Sequence, residues 1–300
     1  MRVSESTLFR SLLFVPSHDL RFMGSASRVN ADILLLDLED SVQPSTAKAV
    51  GRDNIVNWVS QGKFESKTLF VRINDRESGH LLKDLEALTI PGIAGFMYPK
   101  SYTGKDVYFI DKLLETIEFE KGLPVGTFSL IPLIETSEAV HNALEICQAA
   151  SRTVAVAFGS EDFVADLEGI HDREHNSLFN PRALIAMAAR AAKIIPIDTV
   201  HINIHDLEDL EVNLKLSKDL GFEGMLVLHP KELPLVHQYY SPTESEVNAA
   251  SEIVAAFEEA KLQNKGVVIV NGRFIGPPIV RAAQKTLNKH RLISSNKVRE

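Results

Sequence analysis

Eight short apolar runs, rich in Val, Ile, Leu and Phe, recur along the chain: Leu12–Val15, Ile33–Asp37, Leu69–Ile73, Gly95–Tyr98, Phe128–Ile134, Thr153–Phe158, Thr199–Ile202 and Met225–Leu228. Their alternating positions are apolar on both sides, as in parallel strands covered on both faces. Between them lie amphipathic stretches of helical spacing, among them Ser137–Ala150, Pro181–Lys193 and Asp209–Leu220. Thr136-Ser137 ahead of Glu138, and Asn180-Pro181 ahead of Arg182, read as helix starts, and Gly221 reads as a helix stop. Eight strand–helix units predict an α/β fold, a closed (β/α)8 barrel. An open doubly wound sheet is the runner-up. It would call for a glycine-rich turn after the first strand, where the chain instead has Val15-Pro16-Ser17.

The pattern changes after the eighth run. Pro230–Leu262 reads as helical with a turn at Ser241-Pro242. The apolar run Val267–Val270 then leads through Asn271-Gly272 to Ile275-Gly276-Pro277-Pro278 and a last helix. Residues 1–235 are therefore expected to form the barrel. Residues 236–300 are expected to form a C-terminal helical arm or lid, packed on the barrel or on a neighbouring subunit. The closing LISSNKVRE segment is expected to fray.

The totals change this picture little. The chain has 300 residues, 45% hydrophobic and 24% charged, an ordinary globular composition. A net charge of −8, evenly mixed and without a basic arm, argues against a nucleic-acid partner. No apolar run approaches the roughly 20 residues that span a bilayer, and no secretory leader is evident, so a cytoplasmic location is expected. The lone Cys147 lies in an amphipathic segment and reads as a small buried hydrophobe, with no disulfide or cysteine zinc site to make.

In a barrel, chemistry gathers where the strands end. There the chain places Asp37-Leu38-Glu39-Asp40, Arg72 and Asn74, Pro99-Lys100, Glu135-Thr136, Gly159-Ser160-Glu161-Asp162 and His229-Pro230. A charged residue after a strand is most often a solvated loop or a helix cap, and Asp40 and Glu138 suit that reading. Glu135 and Asp162 resist it, because each directly follows an apolar strand and neighbouring strands set them side by side. Paired carboxylates repel unless a cation or proton lies between them. Oxygen-only ligation completed by waters and substrate oxygens suits Mg²⁺. A carboxyl pair for glycoside hydrolysis is the alternative, and it accounts less well for Arg72 and Lys100 nearby. Cations beside a metal imply an anionic substrate such as a 2-oxo or hydroxy acid. His205 and His229 read as structural histidines. His171 and His175 have metal-helix spacing without the adjacent Glu, and read as part of a loop facing substrate.

These motifs resemble the citrate lyase β-subunit family, within the wider group of metal-dependent barrel aldolases and lyases. The resemblance runs nearly the whole chain. It rests on Arg10-Ser11, Leu13-Phe14-Val15-Pro16, Ala31-Asp32, Leu36-Asp37-Leu38-Glu39-Asp40-Ser41-Val42, Val71-Arg72-Ile73-Asn74 and Pro99-Lys100. It continues through Pro132-Leu133-Ile134-Glu135-Thr136, Phe158-Gly159-Ser160-Glu161-Asp162, Gly221-Phe222-Glu223-Gly224, His229-Pro230-Lys231 and Tyr240-Ser241-Pro242. It implies a lyase that cleaves or forms 3-hydroxyacyl-CoA thioesters of citramalyl, malyl or citryl type, giving acetyl-CoA and a 2-oxo acid. By resemblance, Glu135 and Asp162 hold Mg²⁺, Arg72 grips the oxo-acid carboxylate and developing enolate, Asp37 takes part in proton transfer and Glu39 orders the site. Lys100, Glu135 and Ser160 are implied substrate contacts, and the assembly is implied to be a homotrimer or hexamer.

Four positions depart from the family pattern. The C-terminal arm has Phe274-Ile275-Gly276 where the family usually carries an acid–base Asp. Ser17 replaces a Gly, Ser25 stands where a CoA-contacting Lys is common, and Met225 replaces another Lys. Two further readings therefore stay open: an aldolase on free 2-oxo acids, and a catalytically impaired homologue.

Overall fold

The structure, a computed structural model, describes residues 7–170, 176–263 and 266–297. Strands β1 (Ser11–Pro16), β2 (Ile33–Asp37), β3 (Thr68–Arg72), β4 (Gly95–Tyr98), β5 (Ser129–Ile134), β6 (Ala155–Phe158), β7 (Ile195–Asp198) and β8 (Gly224–Val227) pair in parallel and in sequence order, and β8 closes on β1. The intervening helices are α1 (Leu20–Ala26), α2 (Ala47–Ser60), α3 (Leu81–Leu88), α4 (Gly104–Glu120), α5 (Ser137–His141), α6 (Ala143–Gln148), α7 (Ser160–Asp166), α8 (Asn176–Ala192) and α9 (Leu207–Leu220). The expected (β/α)8 barrel is what the chain forms.

Alternate residues of each strand fill the lumen, because side chains on a strand repeat every second position. Leu12, Ile33, Leu35, Phe70, Met97, Ile131, Leu133, Ala155, Ala157, Ile197 and Leu226 form one buried cluster with Phe9 and Ala94. The other parity, such as Leu34, Leu36, Val71 and Phe96, is also buried, which is why both positions of each run are apolar. At the end where the strands begin, ion pairs tie the wall together. Arg10 forks onto Asp32 at 2.7 and 2.9 Å, and Arg152 joins Glu118 at 2.8 Å and Asp111 at 2.6 Å.

The seventh strand lies earlier than the pattern predicts, at Ile195–Asp198 and not Thr199–Ile202. Pro196 disguises it, since proline lacks a ladder donor and counts against a central strand; here its carbonyl accepts from Glu223 N at 3.0 Å. Thr199–Ile202 instead opens the loop after β7. The helix start expected at Pro181 is also displaced. α8 is already helical at Asn176, and Pro181 is buried inside it, where the missing N–H forfeits one intrahelical bond. The stretch Ser137–Ala150 breaks into α5 and α6 at Asn142, whose side chain donates to Tyr102 O at 3.0 Å. The caps at Thr136 and Gly221 form as expected, the latter with φ +92°. The His171–His175 segment lies outside the described residues.

The chain divides into two compact units, 1–236 and 237–300, with the boundary inside helix α10 (Leu233–Tyr240). The second unit holds α11 (Glu244–Leu262), a hairpin of β9 (Val268–Val270) and β10 (Arg273–Ile275) turning at Asn271-Gly272, and α12 (Pro277–Lys297). α12 runs as helix to Lys297, through most of the segment expected to fray. Among the described residues, no helix is long and apolar enough to cross a membrane.

The short 3-10 turn Pro230–Glu232 after β8 encloses Glu232, whose Oε1 accepts from His229 N at 3.2 Å while its buried Oε2 finds no hydrogen-bond partner among the described residues. Burial pushes this carboxyl up from 4.5 to about 7, against the pull of the His229 and Leu228 N–H groups. The folded protein thus keeps a proton that the unfolded chain releases, so stability falls as pH rises from about 4.5 to 7 and the deficit is complete above that window. Glu232→Gln is expected to match the wild-type Tm near pH 4.5 and to exceed it at pH 8. The expected excess is about 1–3 kcal/mol, at about 2–4 °C per kcal/mol. Equal melting curves at both pH values would remove Glu232 as the cause.

Candidate active site

Carrying the lumen parity past the strand ends brings Asp37, Arg72 and Glu135 to the mouth, two residues beyond Leu35, Phe70 and Leu133 respectively. All three are buried. Asp37 Oδ1 accepts from Arg72 Nε at 2.6 Å and Glu39 N at 3.0 Å. Its Oδ2 accepts from Arg72 Nη2 at 2.8 Å, Ser41 N at 3.1 Å and Ser41 Oγ at 2.5 Å. Burial alone would raise the Asp37 pKa, but Arg72's charge and these donors hold it below the ordinary carboxylate value. Arg72 gains in return: burial opposes its charge, yet Asp37, Glu39 and Asp40 raise its pKa.

The fork spends Nε and Nη2 of Arg72 on Asp37, leaving Nη1 toward Glu39 Oε2 at 3.0 Å and Asp40 Oδ2 at 3.4 Å. The guanidinium lies over the Phe14 ring, 4.7 Å from its centroid, which fixes its plane. Glu39 Oε1 is also 3.6 Å from Lys100 Nζ. Burial, opposed by Arg72 and reinforced by Asp40 and Asp37, pushes the Glu39 carboxyl up to about 7.

Lys100 connects Glu39 to the other half of the site. Its Nζ pairs with Asp75 at 3.0 Å, and its backbone N–H donates to Glu135 Oε1 at 2.6 Å. The backbone at Lys100 is left-handed, φ +50°, a conformation that costs a non-glycine residue about 1 kcal/mol or more and persists where surroundings impose it. Burial first, then Glu39 and Asp162, push the Glu135 carboxyl up to about 8 despite the Lys100 N–H and Arg72. Asp162 stands exposed in the first turn of α7, where helix N-termini favour carboxylates. Gly159 makes room for the arrangement: a Cβ there would come within 2.9 Å of Glu135 Cβ and 3.0 Å of its Oε2.

Asp37, Glu39, Arg72, Lys100 and Glu135 therefore form one connected group, with Asp162 acting on it electrostatically. Ser160 is buried and occupied: its N–H donates to Thr199 Oγ1 at 3.0 Å, its hydroxyl accepts from Thr199 Oγ1 at 2.7 Å and donates to Glu161 Oε1 at 3.1 Å. Among the described residues, no three His, Cys, Asp or Glu side chains converge as a cation cage. What the mouth offers a cation is the Glu135–Asp162 pair, with a surplus of carboxylates around it. A divalent ion that keeps several waters suits such a donor set. His205 lines a hollow of about 690 Å³ along the Ile202–Glu208 loop, and His229 Nδ1 accepts from Lys231 N at 3.1 Å, a capping role. A second cavity, about 370 Å³, opens beside Lys100 between Asp75, Tyr98, Tyr102 and Asp106.

Sequence reading did not single out Ser41, Asp75 or Gly159 for roles here, and placed Thr199 in a strand. Lumen parity would have found Gly159 and Thr199, two positions past Ala157 and Ile197. Ser41 and Asp75 are loop residues with no periodic signal.

Residues 10–230 match the family model described as HpcH/HpaI aldolase/citrate lyase. The citrate lyase subunit beta of Leuconostoc mesenteroides subsp. cremoris is 32% identical over 296 residues, 98% of either chain. The L-malyl-CoA/beta-methylmalyl-CoA lyase of Rhodobacter capsulatus is 30% identical over 92% of this chain and 93% of its own. The crystal structure of CitE from Mycobacterium tuberculosis, in complex with magnesium, acetoacetate and coenzyme A, superposes with a TM-score of 0.73 at 26% identity. The match covers 95% of this chain and 99% of that one.

If Glu135 holds Mg²⁺, Gly159→Ala is expected to displace its carboxyl and weaken Mg²⁺ binding about 10–100-fold, as loss of support around a metal ligand does. Titration calorimetry on a variant whose circular dichroism matches the wild type reads this. An unchanged affinity would show that Glu135 does not hold the ion.

Proposed function

The chain belongs to the HpcH/HpaI aldolase/citrate lyase family, and from that premise we propose a Mg²⁺-dependent carbon–carbon lyase acting on a 3-hydroxyacyl-CoA thioester. The products are acetyl-CoA and a 2-oxo acid. The observation that carries the reading is the connected group of buried Arg72, Glu39 and Glu135 with half-buried Lys100 at the barrel mouth, where cations for an anionic substrate adjoin carboxylates pushed up toward neutral pH by burial. Glu135 and Asp162 are the residues to hold Mg²⁺. The ion would polarise the oxygen on the carbon that becomes the 2-oxo carbonyl.

Cleavage breaks the bond between the hydroxyl-bearing carbon and the acetyl carbon. The hydroxyl loses its proton, the bonding electrons pass to the thioester as an enolate, and the acetyl carbon then takes up a proton. Arg72 presents Nη1 for the accumulating charge, its other edge being committed to Asp37. Lys100 adds a second cation for the acid's carboxylate, and its pairing with Asp75 and Glu39 raises its pKa and keeps it charged. For the proton we assign Glu39, which sits against Nη1 and whose carboxyl burial pushes up to about 7. Asp37, saturated by five donors, anchors Arg72 and exchanges no proton. These assignments exchange the roles that resemblance alone implies for the two acids.

Giving the proton to Glu39 also accommodates Gly276. A Cβ there would meet only ordinary contacts, at 3.8 Å from Phe274 and 3.9 Å from Pro278, so the glycine is not a steric necessity. We read the enzyme as a cytoplasmic homo-oligomer. Support comes from the second unit's hairpin, where cross-strand partners Ile269 and Phe274 are 71% and 66% exposed.

The test is to offer citramalyl-, malyl- and citryl-CoA with Mg²⁺ or EDTA and follow release of the oxo acid. Turnover of at least one thioester, abolished by EDTA, is expected. Arg72→Lys is expected to lower kcat/KM about 10²–10³-fold, as loss of a charge-stabilising donor does. Turnover of a free 2-oxo acid with an aldehyde, but of no thioester, would replace the proposal with an aldolase. Binding without turnover of either would favour the impaired homologue that Gly276 admits.

A further inference from the structure

Lys48 breaks two local rules at once. It is the second residue of α2, where the helix dipole disfavours a cation, and it is only 8% exposed, where a lysine needs a strong reason to be. Its Nζ has two acceptors, both neutral: the backbone carbonyl of Glu39 at 3.3 Å and the side-chain oxygen of Asn74. An apolar side chain would fill the place at lower desolvation cost. Such conflicts between local preference and structure concentrate where function demands them.

The groups behind Lys48 form a continuous polar chain. Asn74, two residues past Arg72, turns its amide so that the oxygen meets Lys48 while Nδ2 and the backbone N–H donate to Asp84 Oδ2 at 2.6 and 2.9 Å. Asp84 on α3 is closed on its other oxygen by Arg52 of α2 at 2.7 Å. Each member is buried. Glu39 is consequently held by its backbone on both sides. Its N–H goes to Asp37, which is locked to Arg72, and its C=O accepts from Lys48 and from Val42 N at 3.2 Å. One clamp lies on the substrate side of the peptide; the other is anchored in two helices.

We propose that Lys48 is a positioning residue. Held by Asn74 and the Asp84–Arg52 pair, it fixes the Glu39 peptide so that the Glu39 carboxyl stays against Arg72 Nη1. Arg72 alone could hold that carboxyl only by sharing a guanidinium already engaged by Asp37, and the charge that accumulates at Nη1 in turnover would compete for it. Lys48 supplies the hold that substrate does not displace.

The kinetic part of the test rests on the lyase reading; the exchange part does not. In Lys48→Met, amide hydrogen exchange across Leu38–Val42 is expected to quicken about tenfold or more, while exchange in β3 and β5 stays at wild-type rates. An unchanged Leu38–Val42 segment overturns the proposal, as does a rise spread evenly over the barrel, which marks simple destabilisation. In turnover, Lys48→Met is expected to lower kcat about 10–100-fold with KM shifted less than about threefold. In a Glu39→Gln background the same change is expected to cost less than about threefold, because both act through one group. Penalties that multiply would show that Lys48 acts independently of Glu39 and overturn the proposal. A wild type inactive on every thioester would sink the lyase reading and leave the exchange result to decide the role of Lys48.

Discussion

The mouth of this barrel depends on a single buried carboxylate. Asp37 has no exposure to water, so it survives as an anion only because five donors replace the water it lost. Removing one partner from such a site typically costs about 3–5 kcal/mol, since the charge left behind stays buried. Every donor that satisfies Asp37 is thereby fixed in place. Arg72 loses its rotational freedom and offers one edge only, and the Leu38–Ser41 turn closes back over the strand end. Glu39, inside that turn, comes to face the free edge of the guanidinium. Pre-organisation of this kind is what electrostatic catalysis needs, because donors that need not reorient stabilise developing charge without a reorganisation cost.

The two ends of the barrel use charge differently. Where the strands begin, Arg10 pairs one to one with Asp32 and Arg152 forks between Glu118 and Asp111, bracing neighbouring strands and helices; against burial, Arg152 and two backbone N–H groups hold the Glu118 carboxyl below its ordinary value. At the mouth the acids outnumber the bases: Arg72 is shared by Asp37, Glu39 and Asp40, and Lys100 by Asp75 and Glu39. Burial first, and the neighbouring acids after it, raise the pKa values of Glu39 and Glu135, and strain appears in the left-handed backbone of Lys100. A barrel concentrates chemistry at one end and stability at the other, and here Glu39 and Glu135, the carboxyls that burial and like charge push upward, lie at the mouth.

The periodic part of this structure was legible in the chain. Runs apolar on both parities gave seven strands within a few residues, and the motifs at their ends named Asp37, Arg72, Lys100 and Glu135. The seventh strand escaped because Pro196 sits inside it, and tertiary closure of the barrel overrode the local signal. The buried Pro181 and the break at Asn142 escaped for the same reason. What could not be read was the environment of each acid. Asp37 and Glu39 lie two residues apart in one motif, and only the fold shows that Arg72 and the donors of Ser41 and Glu39 N hold the first below its ordinary value against burial, while burial pushes the second up to about 7. Lys48 and Asp84 were invisible because they reach the site from helix faces, at sequence separations of 9 and 10 from the groups they bind.

The missing carboxylate at Gly276 takes on a different meaning in this setting. Glu39 is already aligned, held through its backbone by Asp37 and Lys48 and through its side chain by Arg72 and Lys100. Burial and its acidic neighbours poise its carboxyl near neutrality, the range in which one group can both release and accept a proton at useful rates. An ordinary surface glutamate would be ionised at neutral pH and would make a poor acid. On the lyase reading, then, the barrel carries the proton-transfer group within its own mouth. On the proposed role of Lys48, the polar chain behind it maintains that position from within the barrel.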